Sequence, residues 1–194
     1  MQFDPLYAFV FAGLFSPGPN VILVTSSGAR FGLRRTLPHI AGIVVGVGVT
    51  SGLTALGVGA LLLSMPGLTV ALRLGAAGWI LWMAWVLFMS TRRPRVAARA
   101  RPMRFHEAVL FQWVTPKVWA IALAAASGYA AGLPPLQEAA RLAGTFSGIN
   151  LFVCIFWTLA GTALAWLLTT PARWRAFTTV MAALLAASAG MVFL

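Results

Sequence analysis

Acidic residues are nearly absent from this chain: three among 194, against fourteen basic residues of which a single one, Lys117, is a lysine. One cysteine, Cys154, excludes an intramolecular disulfide and a thiolate-rich metal site. The two histidines, His39 and His106, lie far apart at the ends of apolar runs. With so few acids they leave little from which to build a metal centre, so neither a metal nor a cofactor is expected. Charged residues make up 9% of the chain, where a soluble domain carries about a quarter. An enzyme would need paired titratable groups of matched geometry, and one lysine in an apolar stretch offers no such pair.

What is present is apolar length. The chain is 60% hydrophobic with a mean hydropathy of +0.90. Residues 40–63 and 142–168 contain no ionisable group except the thiol of Cys154. About 20 apolar residues cross a bilayer core, so the sequence reads as an all-α polytopic membrane protein. Six spans are expected, at 5–27, 38–63, 68–90, 105–128, 140–169 and 175–194. Between them lie Gly32 and Pro38, Pro66-Gly67, Pro94 and Pro102, Pro134-Pro135, and Pro171.

The chain reads as one membrane domain, 1–194. A three-helix repeat at 1–90 and another at 105–194 are joined by a basic linker at 91–104. The net charge of +11 does not point to nucleic acid, because the arginines fall in loops and not on one soluble face. Eleven of them lie in the first, third and fifth loops, against Arg73 and Arg141 on the other side with Asp4 and Glu138. Lysine and arginine excess marks the cytoplasmic side, which puts both termini outside in an inner (plasma) membrane. Met1-Gln2-Phe3-Asp4 has no basic leader region, so the first apolar stretch is expected to be a retained span, and no C-terminal tail is expected.

Three spans per half is an odd number, so the halves enter the membrane in opposite senses. That is the inverted repeat of many secondary transporters. Two matched interruptions support it: Ser16-Pro17-Gly18-Pro19-Asn20 in the first span and Thr115-Pro116-Lys117 in the fourth, with Pro17 and Pro116 99 residues apart. Gly42/Gly46 and Gly144/Gly148 repeat at a similar offset, a weaker match in a chain with nineteen glycines. A proline removes an N–H and clashes with the carbonyl four residues back, opening the helix. At 1.5 Å per residue, Pro17 lies about 18 Å and Pro116 about 16 Å into their spans, entered from opposite sides. In hydrocarbon, freed backbone groups are tolerated only against protein or a water-filled cavity.

Lys117 is the one clearly intramembrane charge, and such a residue marks a functional site by default. It suits a substrate carboxylate or a proton relay; it would equally cap carbonyls freed at either break. The half-helices starting after Pro19 and Pro116 present N-termini suited to an anion. Gly18 allows close backbone approach, and Ser16, Asn20 and Thr115 add short polar groups. Asn150, with Ser147 and Thr145, places polar groups in the fifth span, as ligand contacts or as glue between helices. Gly42, Gly46, Gly48 and Gly52 read as close-packing positions, and GxxxG spacing is compatible with a homodimer. Trp79, Trp82 and Trp85 read as one packing or lipid-facing stripe, and Trp174 as an interfacial anchor. Trp113 and Trp119 flank the second break as walls of a pocket, and Glu107 is placed at a cytoplasmic vestibule.

At these residues the chain resembles the lysine-exporter superfamily, the LysE/RhtB-type amino-acid exporters. The likeness runs nearly end to end. It is carried by Ser16-Pro17-Gly18-Pro19-Asn20, by Ala41-Gly42-Ile43-Val44-Val45-Gly46, by Arg73-Leu74-Gly75 with Gly78-Trp79-Ile80-Leu81, and by Thr115-Pro116-Lys117. The resemblance implies secondary-active efflux of amino acids or their derivatives, driven by proton antiport. It places the motif residues at Pro17, Gly18, Pro19, Asn20, Pro116 and Lys117. The chain departs from the family in having Val47 where an acid is frequent and Thr115 where asparagine is usual. With no acid expected deep in the membrane, a cationic side chain would be buried unpaired, so the expected substrate is a neutral amino acid or a small carboxylate-bearing metabolite. An exporter of another small solute or ion, or a non-transporting membrane scaffold, stands as the alternative.

Overall fold

The structure is a computed structural model that describes residues 4–16, 18–57, 66–89, 101–168 and 170–190. Pro17, most of the basic linker, and the side chains of Arg73 and Trp79 lie outside the described residues. Among the described residues there are seven helices and no strand. They are α1 (Pro5–Phe15), α2 (Pro19–Ala55), α3 (Pro66–Met89), α4 (Phe105–Trp113), α5 (Pro116–Gly128), α6 (Pro135–Ala165) and α7 (Pro171–Gly190). Each of α1, α2, α3, α5, α6 and α7 opens on a proline, whose missing N–H costs nothing in a first turn.

α2 is continuous by hydrogen bonding but not straight. Gly32 sits inside it at φ 74°, ψ 171°, a left-handed conformation that favours glycine. The Ser27 and Thr36 hydroxyls hydrogen-bond at 2.9 Å across it. Nine residues along a straight helix would separate them by about 13 Å, so the chain turns back at Gly32. The contacts with α6 agree. Residues 20 to 28 meet α6 from Asn150 to Thr158 and Thr162, running with it. Residues 44 to 52 meet it from Ser147 back to Ala139, running against it.

The expected boundary between the first two spans therefore narrows to one residue. Helix persists to Phe31 and resumes at Leu33. Pro38 lies within the second arm, exposed, where its missing N–H frees the carbonyl of exposed Arg34.

Small residues bring the α2 hairpin and α6 together. A Cβ on Gly28 would overlap the Thr158 carbonyl, and one on Gly161 would overlap that of Thr25. The glycines of the second arm are used inside the chain: Gly42 against Phe105 and Ala108, Gly46 against Gln112, Gly48 against Ser147. Among the described residues, a Cβ on Gly144 or Gly148 would meet nothing within 4 Å. Leu6, Val10, Ile43, Val47, Leu142 and Phe146 form the main core. α3 and α7 build a second layer, with Ile80, Met83 and Leu185 packed on Ile22 and Phe111.

By length and composition, α2 and α6 can each cross a membrane, and α4 with α5 can do so as a single span bent by 63°. The second arm of α2, 23 residues from Leu33 to Ala55, is about 34 Å long, enough by length to cross a bilayer core.

Candidate functional site

Both breaks fall where the prolines place them. α1 ends at Phe15; Ser16 turns extended, its N–H donating to Ala12 O (3.2 Å) and its hydroxyl to Gly13 O (2.9 Å). α2 then starts at Pro19 behind Gly18. Gly18 has φ −164°, which any residue adopts, so the demand for glycine there is spatial. A Cβ would sit 3.0 Å from Lys117 Nζ and 3.1 Å from its Cδ. In the second break, the Thr115 hydroxyl donates to Phe111 O (2.6 Å) and its N–H to Gln112 O (3.2 Å). Pro116 opens α5. The Trp119 indole N–H donates to Trp113 O (3.2 Å), satisfying another carbonyl left by the break.

The two breaks, a hundred residues apart, meet in space. Lys117 Nζ donates to Ser16 O (2.7 Å) and to Ser16 Oγ (2.8 Å). Asn20 Nδ2 donates to Gln112 Oε1 (2.7 Å), and Gln112 Nε2 donates back to Asn20 Oδ1 (3.3 Å). Between them lies a cavity of about 20 Å³. Its polar lining comes from the first turns of α2 and α5 together with Asn150 of α6; Leu14, Val21, Val118 and Val153 supply the apolar walls. That volume holds about one water. Asn150 is 2% exposed, and among the described residues its Nδ2 has no hydrogen-bond partner. A buried amide donor without a partner costs about 1–3 kcal/mol unless something accepts from it.

No carboxylate lines this cavity. Glu107 receives both Arg101 guanidinium nitrogens (2.9 and 3.0 Å) and caps α4 through Arg104 N (2.8 Å). Asp4 and Glu138 both hold Arg141, each at 2.8 Å. The hydrogen bond from Arg141 holds the Asp4 carboxyl below the usual range. Among the described residues no group of three His, Cys, Asp or Glu side chains is placed to bind a metal.

Of the sequence-expected site residues, Gly18, Pro19, Asn20, Thr115, Lys117 and Asn150 line the cavity. Ser16 bonds Lys117 from beside it, Pro116 starts the helix that carries Lys117, and Pro17 lies outside the described residues. Ser147 instead ties α6 to Val44 O (3.1 Å) as interhelical glue. Trp113 and Trp119 are not cavity walls: their rings pack on each other at 6.0 Å, with Trp113 largely exposed. Glu107 is committed to its cap and to Arg101. Gln112 and Cys154 were missed by the sequence reading. The signal for Gln112 was a lone amide four residues before Pro116, at the carbonyl the proline abandons.

The sequence matches a known family along almost the whole chain. The model of the LysE type translocator family covers residues 11–194. The chain belongs to that family. Among curated proteins, this LysE-type chain is 33% identical over 156 residues to a cysteine/O-acetylserine efflux protein of Klebsiella pneumoniae, covering 75% of this chain and 74% of the relative. It is 28% identical over 149 residues to the protein of that name in Escherichia coli K12, covering 75% of each. It is 27% identical over 164 residues to the Salmonella choleraesuis protein, covering 83% of each. No solved structure matches the chain significantly. Membership in a translocator family places the chain among transporters, acting on a small-molecule substrate.

Proposed function

We propose that this LysE-type translocator exports neutral amino acids or their uncharged-side-chain derivatives, binding them where its two broken helices meet. One observation carries the reading: Lys117 of α5 reaches across to Ser16 at the end of α1, beside a cavity with an unpartnered amide. A substrate carboxylate replaces Ser16 as the acceptor for Lys117 and faces two helix N-termini, both of which favour an anion. The Asn150 amide and the Asn20–Gln112 pair supply hydrogen bonds to the rest of the zwitterion. With no acid in the lining, a cationic side chain finds no counter-charge. The curated relatives are named for cysteine and O-acetylserine, whose side chains are uncharged.

The cavity is too small for any amino acid, so it represents a closed state. Admission requires the Lys117–Ser16 and Asn20–Gln112 bonds to part, which fits rocking of two halves about a midplane site. The packing supports such halves: α4 lies against the second arm of α2 as α1 lies against α6. On this reading the six spans are α1 with the first arm of α2, its second arm, α3, α4 with α5, α6, and α7. Both termini face outward from the inner membrane. Proton antiport would run through Lys117, the only basic side chain at the cavity among the described residues.

Proteoliposomes loaded with radiolabelled substrates test the reading. Leucine, threonine, cysteine and O-acetylserine should leave faster than from protein-free vesicles, and an imposed proton gradient should accelerate them. Lysine efflux equal to that of the neutral substrates would overturn the proposal.

A further inference from the structure

A second cavity lies at the far end of the same helix arm. It measures about 80 Å³ and sits beside the Gly32 turn, between the α2 hairpin, α3 and the segment leading into α4. Ser26, Ser27, Arg30, His39 and Arg101 line its polar part; Trp82 and Met83 are among its apolar walls.

Three features distinguish it from a packing void. Arg30 is half-buried, and among the described residues its guanidinium meets only the neighbouring Phe31 ring, 5.5 Å from the centroid. Ser26 is 5% exposed with a hydroxyl that has no partner among the described residues. A serine or threonine within a helix ordinarily donates to a carbonyl one turn back, as Thr25 does to Val21 O at 2.7 Å. The other lining guanidinium, Arg101, is already committed to Glu107, which it holds bidentately. The cavity thus offers a buried hydroxyl and a planar guanidinium with no anion to receive them.

We infer that this cavity binds the carboxylate of the substrate on the cytoplasmic side, as a recruitment site distinct from the midplane cavity. Arg30 and Ser26 donate to the carboxylate, and the apolar walls face the remainder of the molecule. Bidentate recognition of a carboxylate is what a guanidinium does best. Most of the polar lining faces the protein interior: Ser26, Ser27 and His39 are each more than nine-tenths buried, and the more exposed Arg101 is paired with Glu107. That favours a small solute over a lipid headgroup, which would meet exposed cations. Asn20, at the midplane cavity, and Arg30 lie on one helix arm about 15 Å apart, so the two cavities are successive stations along it. The charge count that assigns the arginine-rich side to the cytoplasm makes this the station an exported solute meets first. The assignment of the ligand rests on the proposed export function; the oxyanion site does not.

Two measurements keep those apart. In Val86→Cys protein in micelles, a negatively charged thiosulfonate reagent should label the cavity thiol at least about fivefold faster than a positively charged one. The parent chain, whose Cys154 is buried, sets the background. Arg30→Gln should abolish that preference and Arg30→Lys should retain it; a preference indifferent to Arg30→Gln overturns the site.

In proteoliposomes, Arg30→Gln should raise the half-saturation concentration from the arginine-rich face by about tenfold, the cost of one charged hydrogen bond, and leave the opposite face unchanged. An equal change from both faces overturns the recruitment role. Loss of the labelling preference on adding anionic lipid, with no protection by amino acids, assigns the site to a lipid phosphate and overturns the substrate reading. Should the parent protein transport nothing while the Arg30-dependent preference stands, the export proposal falls and the oxyanion site remains.

Discussion

Gln112→Leu isolates the one link between the two breaks that is purely a side-chain pair. Gln112 is fully buried and makes three hydrogen bonds, two of them with Asn20 at 2.7 and 3.3 Å. Leucine keeps the bulk and removes the amide, leaving Asn20 with a donor and an acceptor unpaired. Each net hydrogen bond is worth about 1 kcal/mol, and stranding a half-buried amide adds a similar amount; better burial of leucine offsets part of this. The expected loss is about 2 kcal/mol, and Asn20→Leu should cost about the same by stranding Gln112. The double variant strands nothing, so it should lose about 2 kcal/mol and not 4, a coupling of about 2 kcal/mol. In a chain of this size 2 kcal/mol moves the midpoint by about 4–8 °C. Thermal unfolding in micelles, followed by tryptophan fluorescence, reads all four corners of the cycle. Additive losses, with coupling under about 0.5 kcal/mol, would refute the claim that this pair joins the halves.

Two further outcomes follow from other contacts. Gly28→Ala or Gly161→Ala would place a Cβ onto the backbone carbonyl of Thr158 or Thr25, so each should give little folded protein. Gly148→Ala, at an uncovered position, should express as the parent does; equal yields from all three would refute the close crossing. The Asp4–Arg141 pair is the pH-dependent contact. Asp4 is held below its ordinary range when folded, so its contribution is present above the unfolded value near 4 and is lost as pH falls through the folded one. The melting temperature should drop as pH falls below about 4, and Arg141→Gln should flatten that portion of the profile. A profile unchanged by Arg141→Gln refutes the clasp.

The breaks and their partners were legible because proline and an isolated lysine in an apolar run have few structural solutions. Ser16, Asn20, Thr115, Lys117 and Asn150 could be named from depth and composition alone. The hairpin between the first two spans was harder to place, because Gly32 and Pro38 both break helices in water. The exposed turn lets the Arg34 carbonyl stay unbonded to Pro38, so only Gly32 reverses the chain. Gln112 was missed because its role depends on which residue lies opposite, and spacing along one chain does not give that. The same limit applies to Trp113 and Trp119: a flanking aromatic can wall a cavity or cover a freed carbonyl, and here the second is seen. The glycines of the second span were correctly read as packing positions. Which helices they face is tertiary information.

Equilibrium binding at Lys117 tests the account most directly. Purified protein in micelles should bind radiolabelled cysteine or O-acetylserine saturably, with unlabelled leucine competing and lysine failing to compete. Lys117→Gln keeps a donor for Ser16 but removes the charge, and loss of one charged hydrogen bond of about 1.5–3 kcal/mol should weaken binding by about 10- to 150-fold. Binding by Lys117→Gln as tight as by the parent, with the protein folded, would contradict the claim that the meeting of the two broken helices is the substrate site.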